Sequence, residues 1–149
     1  GMGWQELQRR VAGLVRDTHV MFSLDTLEYL QKGGRIGKIT CLAGTMLQIK
    51  PIISFAEDGQ LASISKVRGR RRSIDEMVQR VKAMVPTDGR PYVMATAHGD
   101  APEDQAYLKA QIQQEIAGAA HYYEGVIDCT LGVHTGPHLI GVGIQLLEP

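Results

Sequence analysis

The side chains best suited to bind a ligand lie in a glycine-rich segment at 132–138, which reads Gly-Val-His-Thr-Gly-Pro-His. His134 and Thr135 can present a ring nitrogen and a hydroxyl to one anionic group, and histidine changes its charge near neutral pH. A tight turn with a hydrogen-bonded histidine explains the pattern about equally well. His134 and His138 have the spacing that zinc uses on a helix, but the intervening Gly-Pro pair breaks a helix, so we expect no metal site.

A second candidate is the segment 32–38, which reads Lys-Gly-Gly-Arg-Ile-Gly-Lys. Its glycines let backbone amides face a ligand, and a following helix would offer a positive N-terminus. The spacing does not match a phosphate loop, because Gly33 and Gly37 enclose three residues rather than four and Ile39 replaces the metal-binding hydroxyl. On spacing alone, a plain joint between two helices is favoured by roughly two to one.

A third candidate is the basic segment 66–72, which reads Lys-Val-Arg-Gly-Arg-Arg-Arg in a chain of zero net charge. Arginine side chains bind carboxylates and phosphates through two parallel hydrogen bonds. A docking patch and a solvated basic turn are equally compatible with this composition. No aromatic residues alternate with the arginines to stack on bases, so we expect no nucleic acid partner.

The elements that position these segments follow from hydrophobic periodicity and turn signals. The Asp58-Gly59 pair predicts a hairpin, whereas residues 92–128 predict a β-α-β unit. Together they predict an α/β fold of two layers, a mixed parallel and antiparallel sheet covered by helices. The predicted helices are 4–15, 25–32, 36–47, 73–85 and 102–117, and the predicted strands are 18–24, 49–55, 61–67, 92–97, 121–128 and 139–147, with a loop before the last strand.

Three helix starts carry capping signals in the sequence. Asp25 with Glu28, and Ser73 with Glu76, have the spacing of a capping box. Asp100 precedes the helix at 102–117 and is predicted to be its N-cap.

A length of 149 residues is close to that of one domain, and an apolar share of 44% is ordinary for a globular protein. Together they predict one compact domain over residues 1–149. Cys41 and Cys129 lack metal-ligand spacing and are expected to be buried thiols in a reducing, cytoplasmic compartment. No apolar run approaches the ~20 residues of a membrane span. Gly1 before Met2 is typical of a residue left by tag removal.

Four segments together resemble the DegV family in order and spacing, over about residues 18–147. They are 29–36 (Tyr-Leu-Gln-Lys-Gly-Gly-Arg-Ile), 49–52 (Ile-Lys-Pro-Ile), 66–70 (Lys-Val-Arg-Gly-Arg) and 132–137. The resemblance implies the C-terminal domain of a two-domain protein whose N-terminal domain is absent here. Such proteins enclose a long-chain fatty acid between their domains. The best understood are acyl-binding subunits that present the lipid carboxylate to a separate, ATP-dependent fatty acid kinase subunit.

The resemblance also implies roles for individual residues. His134 and Thr135 would contact the carboxylate, and Arg35 would lie near the head group. Arg68 and Arg70 would occupy the positions that dock the kinase subunit. The chain departs from the family pattern at Val133, where a threonine is usual, and at His138, where a glycine is usual. His138 is therefore expected at a backbone position of positive φ.

Lipid binding without catalysis and without a cofactor is the leading functional prediction. The alternatives are an enzyme domain that acts on a small anionic or phosphorylated substrate through Arg35 and His134, and a protein-docking module. An apolar cavity beside His134 would favour lipid binding, a small polar cleft would favour the enzyme, and the absence of a cleft would favour docking.

Overall fold

The computed structural model describes residues 1–42 and 49–148. In chain order, its elements are α1 (Trp4–Arg16), β1 (Thr18–Ser23), α2 (Glu28–Lys32), a 3-10 helix (Gly37–Leu42), β2 (Ile49–Phe55), β3 (Leu61–Arg68), α3 (Arg70–Met84), β4 (Tyr92–Gly99), α4 (Pro102–Glu115), β5 (His121–Val126), α5 (Cys129–Thr135) and β6 (Leu139–Leu146).

The described strands form one sheet in the order β3-β2-β1-β6-β4-β5. β4 and β5 are parallel and joined by α4, whereas the other neighbouring strands are antiparallel. The β2–β3 hairpin turns at Gly59, whose φ of 78° suits glycine. Pro51 lies near the start of β2, before that strand pairs with β1, so its missing N–H costs no bond on that side. The mixed sheet predicted from the sequence is confirmed.

Helices α3 and α4 cover one face of the sheet. The apolar residues of α3 recur at helical spacing, and Ile74, Met77 and Val81 are 0% exposed. They pack against the strand residues that point to the same side, such as Met94 and Ile140. This face holds the larger core of the domain.

The opposite face is covered only in part. Phe22, Ile53 and Leu139 form a smaller apolar cluster with Leu30 of α2 and Ile39 of the 3-10 helix. These short elements lie toward one side and leave the central strands β1, β6 and β4 open. The two-layer arrangement therefore holds for the centre of the sheet.

Helix α1 forms as predicted, but none of its residues is buried. Trp4 and Val15 are each 70% exposed. None of the helices in the described ranges has the length and apolar character to cross a membrane.

The start of α3 was predicted incorrectly at Ser73. The helix begins at Arg70, because Gly69 turns the chain at a φ of 88°. Ser73 is fully buried, and its hydroxyl donates to the Arg70 carbonyl over 2.7 Å. The basic residues of this segment consequently lie in the first helical turn.

The capping predictions for Asp25 and Asp100 were also wrong. Asp25 pairs with Lys50 at 3.1 Å, and the first amide of α2 donates to the Thr26 hydroxyl instead. Asp100 adopts a φ of 53°, and the Ala101 amide donates to Nδ1 of His98 over 3.0 Å. At both helix starts a neighbouring side chain, Thr26 or His98, accepts the hydrogen bond in place of the predicted aspartate.

The segment before the last strand is a short helix, α5, rather than the predicted loop. Asp128 caps it by accepting a hydrogen bond from the Leu131 amide over 3.0 Å. His138 has a φ of 61°, which confirms the expected positive φ. Cys129 is exposed, so the prediction of a buried thiol was wrong there. The predicted helix at 36–47 corresponds to the 3-10 helix, and its later part lies outside the described residues.

Candidate functional site

A groove of ≈ 710 Å³ lies on the open face of the sheet. Its size is within the range typical of small-molecule sites. Residues that alternate along the three central strands form its floor, because alternate side chains of a strand point to the same face. These floor residues are Val20 and Phe22 on β1, Gly141 and Gly143 on β6, and Ala95 and Ala97 on β4.

The walls of the groove are also mainly apolar. α5 contributes Leu131 and His134 at one end, whereas Arg35 and the β2–β3 hairpin contribute the side wall. Apolar residues dominate the remaining lining, and the polar side chains among the lining residues are Arg35, Gln60, Thr96, His134 and Thr135. An apolar cavity beside His134 is the arrangement that favours lipid binding over the two alternatives.

The two glycine-rich segments meet beside this groove. A Cβ atom at Gly33 would lie 2.5 Å from Nδ1 of His134, so only glycine allows the ring to approach the α2 turn this closely. A Cβ atom at Gly136 would overlap the ring of Tyr29. Helices α2 and α5 therefore pack through glycines, and this contact fixes the position of His134.

The ring of His134 has one enclosed nitrogen. Nδ1 is buried and has no hydrogen-bond partner among the described residues. Because Nδ1 is enclosed against the α2 turn, Nε2 is the ring nitrogen left to meet a ligand in the groove.

Thr135 is 2% exposed and lines the groove, but its hydroxyl already donates to the Leu131 carbonyl over 3.1 Å. To donate to a carboxylate, the hydroxyl would have to release this bond. Arg35 is exposed, and its guanidinium donates to the Gly33 carbonyl over 2.6 Å. The structure thus brings Arg35, His134 and Thr135 to one groove.

Arg68 and Arg70, the two predicted docking residues, have different surroundings. Arg68 is exposed at the end of β3. Arg70 is 18% exposed, with Nε 2.8 Å from Asp104 and Nη2 2.5 Å from the His138 carbonyl. Arg70 therefore joins α3, α4 and the start of β6 internally, unlike the surface residue expected from the sequence.

The floor residues were missed by sequence reasoning, although a signal is present. Residues 139–146 read Leu-Ile-Gly-Val-Gly-Ile-Gln-Leu, in which glycines alternate with large apolar residues. In a strand, this pattern gives one face that packs on helices and one face without side-chain bulk. Within residues 1–42 and 49–148, no group of three His, Cys, Asp or Glu residues could hold a metal ion.

The DegV family model, described as a family of uncharacterised proteins, matches residues 1–146. The chain belongs to this family. A DegV domain-containing protein of Clostridium acetobutylicum is 36% identical over 146 residues, which cover 97% of this chain and 50% of the relative. A second relative, from Streptomyces coelicolor, is 33% identical and covers 93% of this chain and 47% of its own length.

Solved structures share the fold. One is a DegV family protein from Thermus thermophilus that is described as fatty acid binding. It has a TM-score of 0.86 and 26% identity to this chain, and the match covers 99% of this chain and 52% of the Thermus protein. A fatty acid binding DegV family protein from Streptococcus agalactiae has a TM-score of 0.87 and 22% identity, covering 99% and 51%. The chain spans about half the length of the relatives that it matches.

Proposed function

We propose that this chain is the C-terminal domain of a two-domain carrier of long-chain fatty acids. The groove beside His134 carries the proposal, because it is apolar along its length and polar only at a few positions. The Thermus thermophilus protein supports the ligand class, since it is described as fatty acid binding. A Eubacterium eligens relative was solved loaded with heptadecanoic acid, and a Ruminococcus gnavus relative with vaccenic acid.

The energetics fit a lipid with a charged head group. Each buried methylene contributes about 0.8 kcal/mol, so an acyl chain along the floor supplies most of the affinity. The carboxylate needs hydrogen-bond donors once it leaves water. We assign this role to Nε2 of His134, with Arg35 nearby and Thr135 after its hydroxyl rotates. The absent domain would cover the open side of the groove.

The proposal predicts that lipid co-purifies with the full-length protein. After gentle purification and solvent extraction, mass spectrometry should detect long-chain fatty acid at close to one molecule per protein. The present chain, purified in parallel, should carry much less, because half of the enclosure is missing. Extracts without fatty acid, from a full-length protein that also fails to bind added palmitate, would contradict the proposal.

The proposed carrier is not itself a catalyst and needs no cofactor. It acts in the cytoplasm by presenting the carboxylate to a separate fatty acid kinase subunit. Arg68 is the docking residue in this proposal, because it is exposed in a basic segment of a chain with zero net charge. Arg70 contributes by holding that segment, through its pair with Asp104.

Charge reversal should separate docking from lipid binding. Arg68→Glu in the full-length protein is expected to weaken binding of the kinase subunit, most strongly at low salt, because charges at an interface rim mainly affect association rates. Palmitate affinity should stay unchanged. Arg9→Glu, at an exposed arginine of α1, is the matched control. Surface plasmon resonance at two salt concentrations measures the first effect, and lost palmitate binding in Arg68→Glu would refute the docking role.

A further inference from the structure

Part of the groove floor is a strip of alanine and glycine residues, which we call the lane. It consists of two adjacent cross-strand pairs, Ala97 with Gly141 and Ala95 with Gly143. The other faces of the same strands carry large residues, such as Met94 and Ile144, which are 1% and 2% exposed. The reduction in side-chain size is therefore confined to the face opposite α3 and α4.

Larger side chains border this lane. Phe22 lies opposite Gly141, and Val20 lies opposite Gly143, on the β1 side. Tyr123 lies beside Ala95 on the β5 side. Phe22 and Val20 thus form an apolar wall on the β1 side, whereas the β5 side carries Tyr123 beside Ala95 and only Gly125 beside Ala97.

The lane also has two distinct ends. Near α5 it begins at Leu139, close to His134. At the far end, the next cross-strand row contains Gln145, Thr18 and Val93, so glycine and alanine give way to larger and more polar side chains. With a strand rise of about 3.4 Å per residue, Gly143 lies roughly 14 Å from Leu139 and Gln145 roughly 20 Å from it.

We propose that this lane selects acyl chains by length, with Gly143 as the residue whose missing side chain admits long acids. The inference rests on the proposed fatty acid function and deepens it. The carboxylate lies at His134, and the acyl chain runs along Gly141 and then Gly143 toward Gln145. A short acid ends before Gly143, whereas a long acid passes over it.

The two glycines allow a matched test, because the fold tolerates alanine at both. A Cβ atom at Gly141 would lie 3.4 Å from the Phe22 Cβ, and one at Gly143 would lie 3.5 Å from the His19 carbonyl oxygen, which are ordinary contacts. Neither glycine is among those with positive φ. Each substitution adds one methyl group to the lane at a different distance from the head group.

Calorimetry on the delipidated full-length protein would compare decanoate with palmitate. Gly143→Ala should weaken palmitate at least ~4-fold, the equivalent of one methylene that is no longer buried, and leave decanoate nearly unchanged. Gly141→Ala should weaken both acids by similar factors. Gly13→Ala on α1, where the new Cβ would meet only Arg16 at 3.9 Å, should change neither.

Equal losses for both acids in Gly143→Ala, or no loss for either, would overturn the length-selecting role while the proposed function stands. Wild-type protein that binds neither acid would refute the proposed function and the lane together. Thermal unfolding checks each variant. Should Gly143→Ala fail to fold, Ala95→Val provides the same test, because Ala95 is exposed in the same row and valine favours strands.

Discussion

Replacing His134 by alanine is expected to weaken long-chain fatty acid binding by about 1.5–3 kcal/mol in the full-length protein, the range for a hydrogen bond to a charged group. The ring lines the polar end of an apolar groove, and the contact of Nδ1 with Gly33 leaves Nε2 to meet the carboxylate. Calorimetry with palmitate on wild type and variant measures the loss. A fatty alcohol of equal length should lose little, because it brings no negative charge.

Two comparisons distinguish this role from a structural one. His134→Gln is expected to retain part of the affinity for palmitate, since its amide can donate from a similar position. If His134→Ala instead lowered the affinity for acid and alcohol equally, together with the melting temperature, the histidine would only hold the α2–α5 contact. Both ligands and both variants should therefore be measured on the same preparation.

The sequence predicts most elements of this fold because their signals are local. The spacing of Ile74, Met77 and Val81 defines the buried face of α3, and the Asp58-Gly59 pair defines the hairpin. The helix starts at Asp25 and Ser73 were predicted incorrectly, because other residues take the expected roles. Asp25 pairs with the remote Lys50 while Thr26 accepts from the first α2 amide, and Gly69 starts α3 before Ser73 is reached.

In the candidate site, too, the sequence predicts some features and not others. Arg35, His134 and Thr135 were selected from their segments, and the structure places all three on one groove. Their mutual arrangement could not be predicted, because it depends on a contact between Gly33 and His134 across about a hundred residues of chain. Residue types therefore indicated which side chains could bind an anion, and packing determined which of their atoms face the groove.

The contact between α2 and α5 leads to a large expected effect on stability. Gly136 has a φ of 73° and a ψ of −174°, a region that is nearly exclusive to glycine and costs other residues about 1–3 kcal/mol. Its missing side chain also makes room for the Tyr29 ring. Overpacking of this kind typically costs about 1–3 kcal/mol more. Gly136→Ala should therefore lower the free energy of unfolding by roughly 2–6 kcal/mol, measured by urea denaturation.

The backbone and steric parts of this cost can be separated. Gly89→Ala is the matched control, because Gly89 has a φ of 82° and open space around a new Cβ, so it reports backbone strain without a clash. In a Tyr29→Ala background, Gly136→Ala should lose its steric part and resemble that control. Since the same contact holds His134 against Gly33, Gly136→Ala should also weaken palmitate binding in protein that remains folded. A loss no larger than that of Gly89→Ala would mean that the Tyr29 ring moves aside freely, and the α2–α5 contact could then not be what positions His134.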